Sequence, residues 1–319
     1  QRQVRRGKAV VFMFPGQGAQ HVGMARDLYE HDSIFRQHVD HCAELLASHL
    51  GYDIRLKIFP SQSFAHSQHD IVESAESNGA DAPAEQLNQT SLAQAGIFTV
   101  SYALAKRLEV DGIVPEQLIG HSVGEFVAAC LAGVFSLADA LRLIAFRATA
   151  MQQLPPGSML AVRLTEAELS ERLNGELSIA AINGPQLCVV SGPTAAVEEL
   201  HQKLQAEEIV CRSLHTSHAF HSAMMDPVVA PFAQLLRSVQ LAPPQIPIIS
   251  TVTGQLLSES QATDPDYWAH HLRETVRFTD AAATVLANPD SVLLEVGPGQ
   301  TLSTLARQHP VRDSEQAVL

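Results

Sequence analysis

The hydrophobic pattern opens on an unbroken apolar run, Ala9–Phe14, stopped by Pro15, Gly16, Gln17 and Gly18. A short run without polar alternation reads as a buried strand, and the proline-glycine stop as a tight loop into a helix, expected at residues 22–29. Residues 61–89 are polar and aperiodic. They read as a long loop or insert in which His66 and His69 are solvated rather than ligands. Helical patterning resumes over residues 90–108, and a short strand, QLIG, then meets His121 and Ser122. Two helices follow, one to about Ala132 and one N-capped by Ser136 and ending near Pro155 and Pro156.

From residue 158 the rhythm changes. The segments MLAVRL, TEAELSERL, LSIAAIN, LCVVSG, TAAVEELHQKL and IVCRSL alternate as βαββαβ over 158–214, the order of a ferredoxin-like unit. Thr165 with Glu168 three residues on is a capping-box signal for its first helix. After residue 223 the α/β alternation returns, with a helix to about 239, a strand IPIIST, a late strand VLLEVG ending in a Pro-Gly turn, and a last helix. No internal repeat is visible. The predicted architecture is α/β: a large domain with a parallel sheet (residues 9–155 and 216–319), interrupted by a small α+β subdomain (156–215). The basic, patternless start, residues 1–8, reads as a linker remnant of a longer chain.

Composition narrows the function. Among 319 residues, 21 Lys and Arg face 34 Asp and Glu, a net charge of −13. That balance argues against nucleic acid or an anionic membrane as partner, since either needs a basic face. No run approaches the length of a membrane span. The four cysteines, Cys42, Cys130, Cys188 and Cys211, are scattered without a C-x-x-C pair, which fits a reducing, cytoplasmic setting.

The sharpest local signal is Gly120-His121-Ser122-Val123-Gly124, a G-x-S-x-G between a strand and a helix. Such a turn strains the serine backbone, needs glycine on both sides, and lifts Oγ above the sheet at a helix N-terminus. The pattern alone recurs by chance in roughly one chain in ten of this length; its strand-to-helix setting points to a catalytic serine rather than a structural turn. A serine needs a base. Of 15 histidines, His215, His218 and His221 stand out, because they lie where the chain re-enters the large domain over an expected cleft. No cysteine or carboxylate accompanies them at ligand spacing, so no metal is expected.

Arg147 falls inside the apolar stripe of its helix, Leu137, Ala140, Leu141, Ile144, Ala148 and Met151. A buried guanidinium requires an anionic partner. Spacing leaves two open: a structural ion pair with a carboxylate such as Glu125, or a clamp on a substrate carboxylate. Gln17 sits in a loop whose backbone N–H groups are free to face a ligand, whereas Gly297, Pro298 and Gly299 read as a structural turn.

Taken in order, FPGQGAQHVGMARDLY, LAQAGIFTVSYAL, GHSVGE, the Arg147 helix, HAFHS, WAHHLRETVRFTDA and LLEVGPGQTL span nearly the whole chain. Together they resemble the acyltransferase domain of modular type I polyketide synthases, relatives of malonyl-CoA:acyl carrier protein transacylases. The resemblance implies an α/β-hydrolase-like large domain and assigns roles. Ser122 becomes acylated and His221 is its base. The N–H groups of Gln17 and Val123 form the oxyanion hole, Arg147 binds the malonyl carboxylate, and Gln94, His121, His218 and Phe220 line the substrate site. It places the carbonyl that orients the histidine in a stretch usually Ser-Asn, here Ser250 and Thr251. HAFH resembles the malonyl-selective form of the block ending in the base, with Phe220 beside C2 of the acyl group. The implied substrate is malonyl-CoA and the acceptor the phosphopantetheine thiol of an acyl carrier protein, by a ping-pong route without a bound cofactor. The implied neighbours in the parent synthase are a ketosynthase and its linker.

Three other readings share features with this one. A serine esterase with a late base would use His309, which lies in a polar tail. A patatin-like lipase needs an Asp-Gly pair after the serine, and the chain has none. A carrier-docking module without activity leaves the serine turn and Arg147 unexplained.

Overall fold

The computed structural model describes residues 8–60, 87 and 89–319; the expectations for residues 1–7, His66 and His69 lie outside them. Strands β1 (Ala9–Phe14), β2 (Gln117–Gly120), β7 (Ile248–Ile249) and β8 (Ser291–Glu295) form an all-parallel sheet in the order β7-β2-β1-β8. On β1, Phe12 and Phe14 enter one apolar cluster and Val11 and Met13 another, on the opposite face. Ile248 and Ile249 divide in the same way. Burial on both faces leaves no polar position along β1, hence the continuous run in the sequence.

The first cluster is filled by α2 (Ser33–Leu50), α4 (Thr90–Val110), α5 (Val123–Leu131) and α6 (Leu137–Gln152). Helix α2 has no counterpart in the sequence reading, although Phe35, Val39, Cys42, Ala43 and Leu46 recur at helical spacing and are all buried. Asp32 caps it, accepting from the N–H groups of Ile34 and Phe35 at 3.0 and 2.8 Å. The helix expected at 22–29 is α1 (Arg26–His31) and starts later. Left-handed Gly23 and Ala25 turn the chain there, and Gly23 N–H bonds Ile58 O at 2.9 Å, tying the turn to α3 (Ile54–Ile58).

The second sheet is antiparallel, β4-β5-β3-β6, built from β3 (Ser158–Val162), β4 (Ser178–Gly184), β5 (Leu187–Gly192) and β6 (Cys211–Ser213). With α7 (Glu166–Ser170) and α8 (Thr194–Ala206) this is the ferredoxin-like arrangement. The capping box forms, with Thr165 Oγ1 accepting from Glu168 N–H at 3.3 Å and Thr165 N–H donating back at 2.9 Å. One face of this sheet packs Leu160, Val162 and Val190 on Leu169, Val197 and Leu200 of the two helices. Ala181 and Val189 belong instead to the cluster of Val11 and Met13, so the two sheets share a core.

The remaining elements are α9 (Asp226–Leu236) after a 3-10 turn, α10 (Glu259–Ala262), α11 (Pro265–His270), α12 (Phe278–Leu286) and α13 (Thr301–Arg307). The expected strand IPIIST is only two residues long. Pro247 has no N–H to donate, and Ser250 N–H turns to Gln255 O at 2.8 Å. Val276 pairs beside Ala181, so the chain after α11 lengthens the edge of β4. No helix among the described residues is long and apolar enough to cross a membrane.

Candidate active site

Because the first sheet is parallel, all its strands end at one edge, where α/β proteins bind ligands. There β1 runs into the Pro15–Gly18 loop, β2 into the serine turn and β8 into Gly297. The loops touch: a Cβ on Gly16 would stand 2.7 Å from His121 O, and one on Gly297, at φ +157°, 2.6 Å from the Pro15 ring.

Ser122 has φ 52° and ψ −116° and precedes the first residue of α5. A non-glycine residue with positive φ is strained, and here the strain aims Oγ off the strand end. The flanking glycines are sterically required. A Cβ on Gly120 would lie 2.1 Å from Glu125 N, and one on Gly124 2.1 Å from Phe14 O.

Ser122 Oγ lies 2.7 Å from His221 Nε2. His221, also at positive φ (56°), places Nδ1 2.7 Å from Glu274 O. A carbonyl only accepts, so Nδ1 carries the ring proton and Nε2 is left to accept from the serine hydroxyl. Burial, then the charges of Arg147 and His271, hold the His221 pKa well below 6.5. The imidazole is therefore neutral at neutral pH, the form able to accept a proton.

The orienting carbonyl is that of Glu274, which corrects the placement at Ser250 and Thr251. Those two carbonyls are occupied: Ser250 O accepts from Gly254 N–H at 2.8 Å and Thr251 O from Arg277 N–H at 2.6 Å. Chain proximity to β7 gave no sign of this, since Glu274 is brought to His221 by α11.

Arg147 is 1% exposed. It donates through Nη1 to Gln94 Oε1 and through Nη2 to Ser122 Oγ at 3.3 Å, with its guanidinium 5.7 Å from the centre of the Phe126 ring. Its Nε has no partner, and among the described residues no carboxylate lies within 4 Å of it. Burial lowers its pKa to about 10, leaving it charged at neutral pH. The ion pair with Glu125 does not form, because Glu125 is bound by Thr251, Tyr267 and His271. An unpaired buried cation beside the serine is a site for an anion.

Gln94 fixes that cation from α4 and itself reaches Gln17 Oε1 at 3.4 Å and Met151 Sδ at 3.7 Å. Among the described residues the N–H groups of Gln17 and Val123 have no protein acceptor. Val123 opens α5, where the helix leaves its first N–H groups free. His121 Nε2 meets Asn183 Oδ1 of β4 at 2.9 Å, so the serine turn is pinned to the small sheet. Asn183 is a contact that the sequence reading missed.

His218 is buried, with Nε2 donating to Leu154 O at 3.0 Å and Nδ1 2.7 Å from Ser217 Oγ. The Nε2 bond thus ties together the two crossings between the sheets. Phe220 is buried in the large cluster with its ring 6.1 Å from that of His218. His309 Nε2 is 3.1 Å from Thr279 Oγ1, on the opposite side of the sheet from the helices around Ser122.

A parallel sheet carrying a serine at such an elbow, faced by a histidine in the accepting tautomer, is the arrangement of an α/β enzyme built around a nucleophilic serine. Residues 11–318 match the acyl transferase domain family, and the chain belongs to that family; it is an acyltransferase. The chain is 39% identical over 301 residues to a phenolphthiocerol/phthiocerol polyketide synthase of Mycobacterium tuberculosis, a match covering 94% of this chain and 19% of that protein. It is 36% identical over 306 residues to the polyketide synthase GfsA of Streptomyces halstedii, covering 95% of this chain and 4% of that one. Among solved structures, the acyl transferase domain of SpnD superposes with a TM-score of 0.85 at 36% identity, covering 98% of this chain and 70% of that one. A malonyl CoA-acyl carrier protein transacylase from Burkholderia pseudomallei superposes at 0.78 with 29% identity, covering 95% and 100%.

Proposed function

We propose that the chain is the extender-loading acyltransferase of a polyketide synthase, taking malonyl from malonyl-CoA onto Ser122 and passing it to the phosphopantetheine thiol of an acyl carrier protein. One observation carries this reading: a serine–histidine pair at 2.7 Å with a buried arginine 3.3 Å from the same Oγ and no carboxylate of its own. A simple esterase has no use for that cation, whereas a malonyl thioester brings a free carboxylate beside the reacting carbonyl.

In the first half-reaction Ser122 Oγ attacks the thioester carbon while His221 Nε2 takes its proton. Charge developing on the thioester oxygen is met by the N–H groups of Gln17 and Val123. The tetrahedral adduct collapses, the C–S bond breaks, and His221 returns the proton to the CoA thiolate. In the second half the carrier thiol gives its proton to His221 and attacks the malonyl ester, and Ser122 recovers the proton as it leaves. Arg147 holds the free carboxylate through both halves, which fixes the thioester carbon over Oγ and favours malonyl over acetyl. Residues 9–155 with 216–319 form the catalytic unit and 156–215 the inserted one, and a ketosynthase with its linker is the natural neighbour in the parent chain. The curated relatives support this setting as polyketide synthases of which the chain spans less than a fifth.

Intact-protein mass spectrometry after incubation with malonyl-CoA tests the reading. A single malonyl adduct is expected, absent in Ser122→Ala. No adduct, or one that survives the substitution, overturns it. Phe220, which fills the space assigned to the C2 substituent, favours malonyl over methylmalonyl. Phe220→Ser should shift the ratio of loading rates toward methylmalonyl-CoA by roughly 1–3 kcal/mol, the usual worth of one methyl in a pocket.

A further inference from the structure

Glu125 is a second buried charge that the chemistry above does not use. It lies in the first turn of α5, three residues after Ser122, and is 0% exposed. Its carboxylate is nonetheless fully engaged. Oε2 accepts from Thr251 N–H at 2.8 Å and Thr251 Oγ1 at 2.6 Å, and His271 Nε2 stands 3.3 Å away; Oε1 accepts from Tyr267 OH at 2.9 Å. Tyr267 OH in turn lies 2.6 Å from Ser250 Oγ. Burial raises the Glu125 pKa, but His271 and the two Thr251 donors outweigh it, so the net shift is downward and the group stays ionised.

Two of the partners of Glu125, Tyr267 and His271, belong to the segment that sets the base. Tyr267 lies on α11, and His271 follows it with its N–H on Tyr267 O. Glu274 N–H bonds His270 O at 2.9 Å, so the carbonyl that holds His221 rides on the same helical extension. One carboxylate thus clamps the serine turn, through its own helix, to the element that orients the histidine. The His221 and His271 rings are 6.5 Å apart, with no shared hydrogen bond.

We infer that Glu125 is a positioning residue for acyl transfer, locking α11 and the Glu274 carbonyl in register with the Ser122 turn so that His221 keeps its accepting nitrogen on Oγ. The inference rests on the Ser122–His221 reading above. Glu125→Gln keeps the size and lets an amide oxygen meet Thr251, but it replaces one acceptor by a donor facing Tyr267. Loosening should appear in the step that uses His221 and not in the binding of the malonyl carboxylate at Arg147.

The test is a double-mutant cycle on the rate of malonyl adduct formation, with the thermal midpoint of each protein measured alongside. Glu125→Gln should lower kcat of loading roughly tenfold with KM for malonyl-CoA nearly unchanged. In the His221→Ala background, where adduct accumulates slowly, it should cost less than about twofold, because a residue acting through His221 has nothing left to act on. Tyr267→Phe, which removes one tether and keeps the charge, should give a smaller loss in kcat with the same KM. Equal losses with and without His221, unchanged kcat in Glu125→Gln, or a loss matched by the unfolded fraction each overturn the inference. If His221→Ala loads too slowly to time, the kcat and KM of the two single variants decide. Failure of the wild-type protein to form any adduct instead overturns the loading reading itself.

Discussion

At the scale of single residues, the site depends on two side chains that share a field. Arg147 and His221 are both buried, and the guanidinium charge helps keep the imidazole pKa below 6.5, after burial itself. In the proposed mechanism His221 is active when neutral, so the acidic limb of kcat/KM for loading should fall below pH 6.5. Arg147→Ala removes a positive charge, lets the His221 pKa rise, and should move that limb to higher pH. The same variant should weaken malonyl loading by roughly 2–5 kcal/mol, as for a buried charged pair that loses one member, and acetyl loading far less. Initial rates with both thioesters across pH measure both effects; equal losses for the two donors would return Arg147 to a structural role. Ser122 and Arg147 were legible in the sequence because each breaks a local rule, one by glycine on both sides, the other by a charge in an apolar stripe. Glu125 and Glu274 were not legible as parts of the site. Glu274 acts through a carbonyl that every residue has, and Glu125 differs from a surface carboxylate only in what surrounds it.

At the scale of elements, the serine turn is held by backbone contact more than by side chains. Gly124 lies against the end of β1, and His121 N–H bonds Phe14 O at 2.9 Å. Gly124→Ala would press a Cβ to 2.1 Å from Phe14 O, an atom that cannot rotate away. Forced overpacking of this kind costs about 3 kcal/mol or more, and the expected result is a much lower thermal midpoint or insoluble protein. Gly18→Ala meets no atom within 4 Å and is limited to the strain of its φ of +107°. Comparing the two melting curves separates close packing from conformational strain. Period and breakers were enough to locate the strands before both loops and the βαββαβ unit. They located α1 four residues early, because Gly23 and Ala25 adopt left-handed turns that depend on α3.

At the scale of the whole molecule, stability should depend on acidity through histidines buried without charge. His121, His221 and His309 all have pKa values lowered from 6.5, with burial the leading cause. Each folded pKa lies below the unfolded one, so the unfolded chain binds protons first as pH falls. The stability they contribute is complete above about pH 6.5 and is lost progressively as pH drops from there toward the folded values. A thermal midpoint that is flat above neutrality and falls on acidification is expected; a rise between pH 7 and pH 5 would contradict the burial described here. The two sheets should melt in one transition, because Ala181 and Val189 share a cluster with Val11 and Met13, and Val276 crosses to the edge of β4.

The sequence by itself determined most of the elements, the serine turn and the presence of a buried arginine, since periodicity, glycine sterics and the cost of desolvation act within a few residues along the chain. Only the tertiary structure decided which carboxylate Arg147 lacks, which carbonyl aims His221, and that His218 ties the crossings between the sheets. The two histidine contacts join residues 53 and 64 positions apart, and hydrogen bonds formed across such separations leave no local pattern.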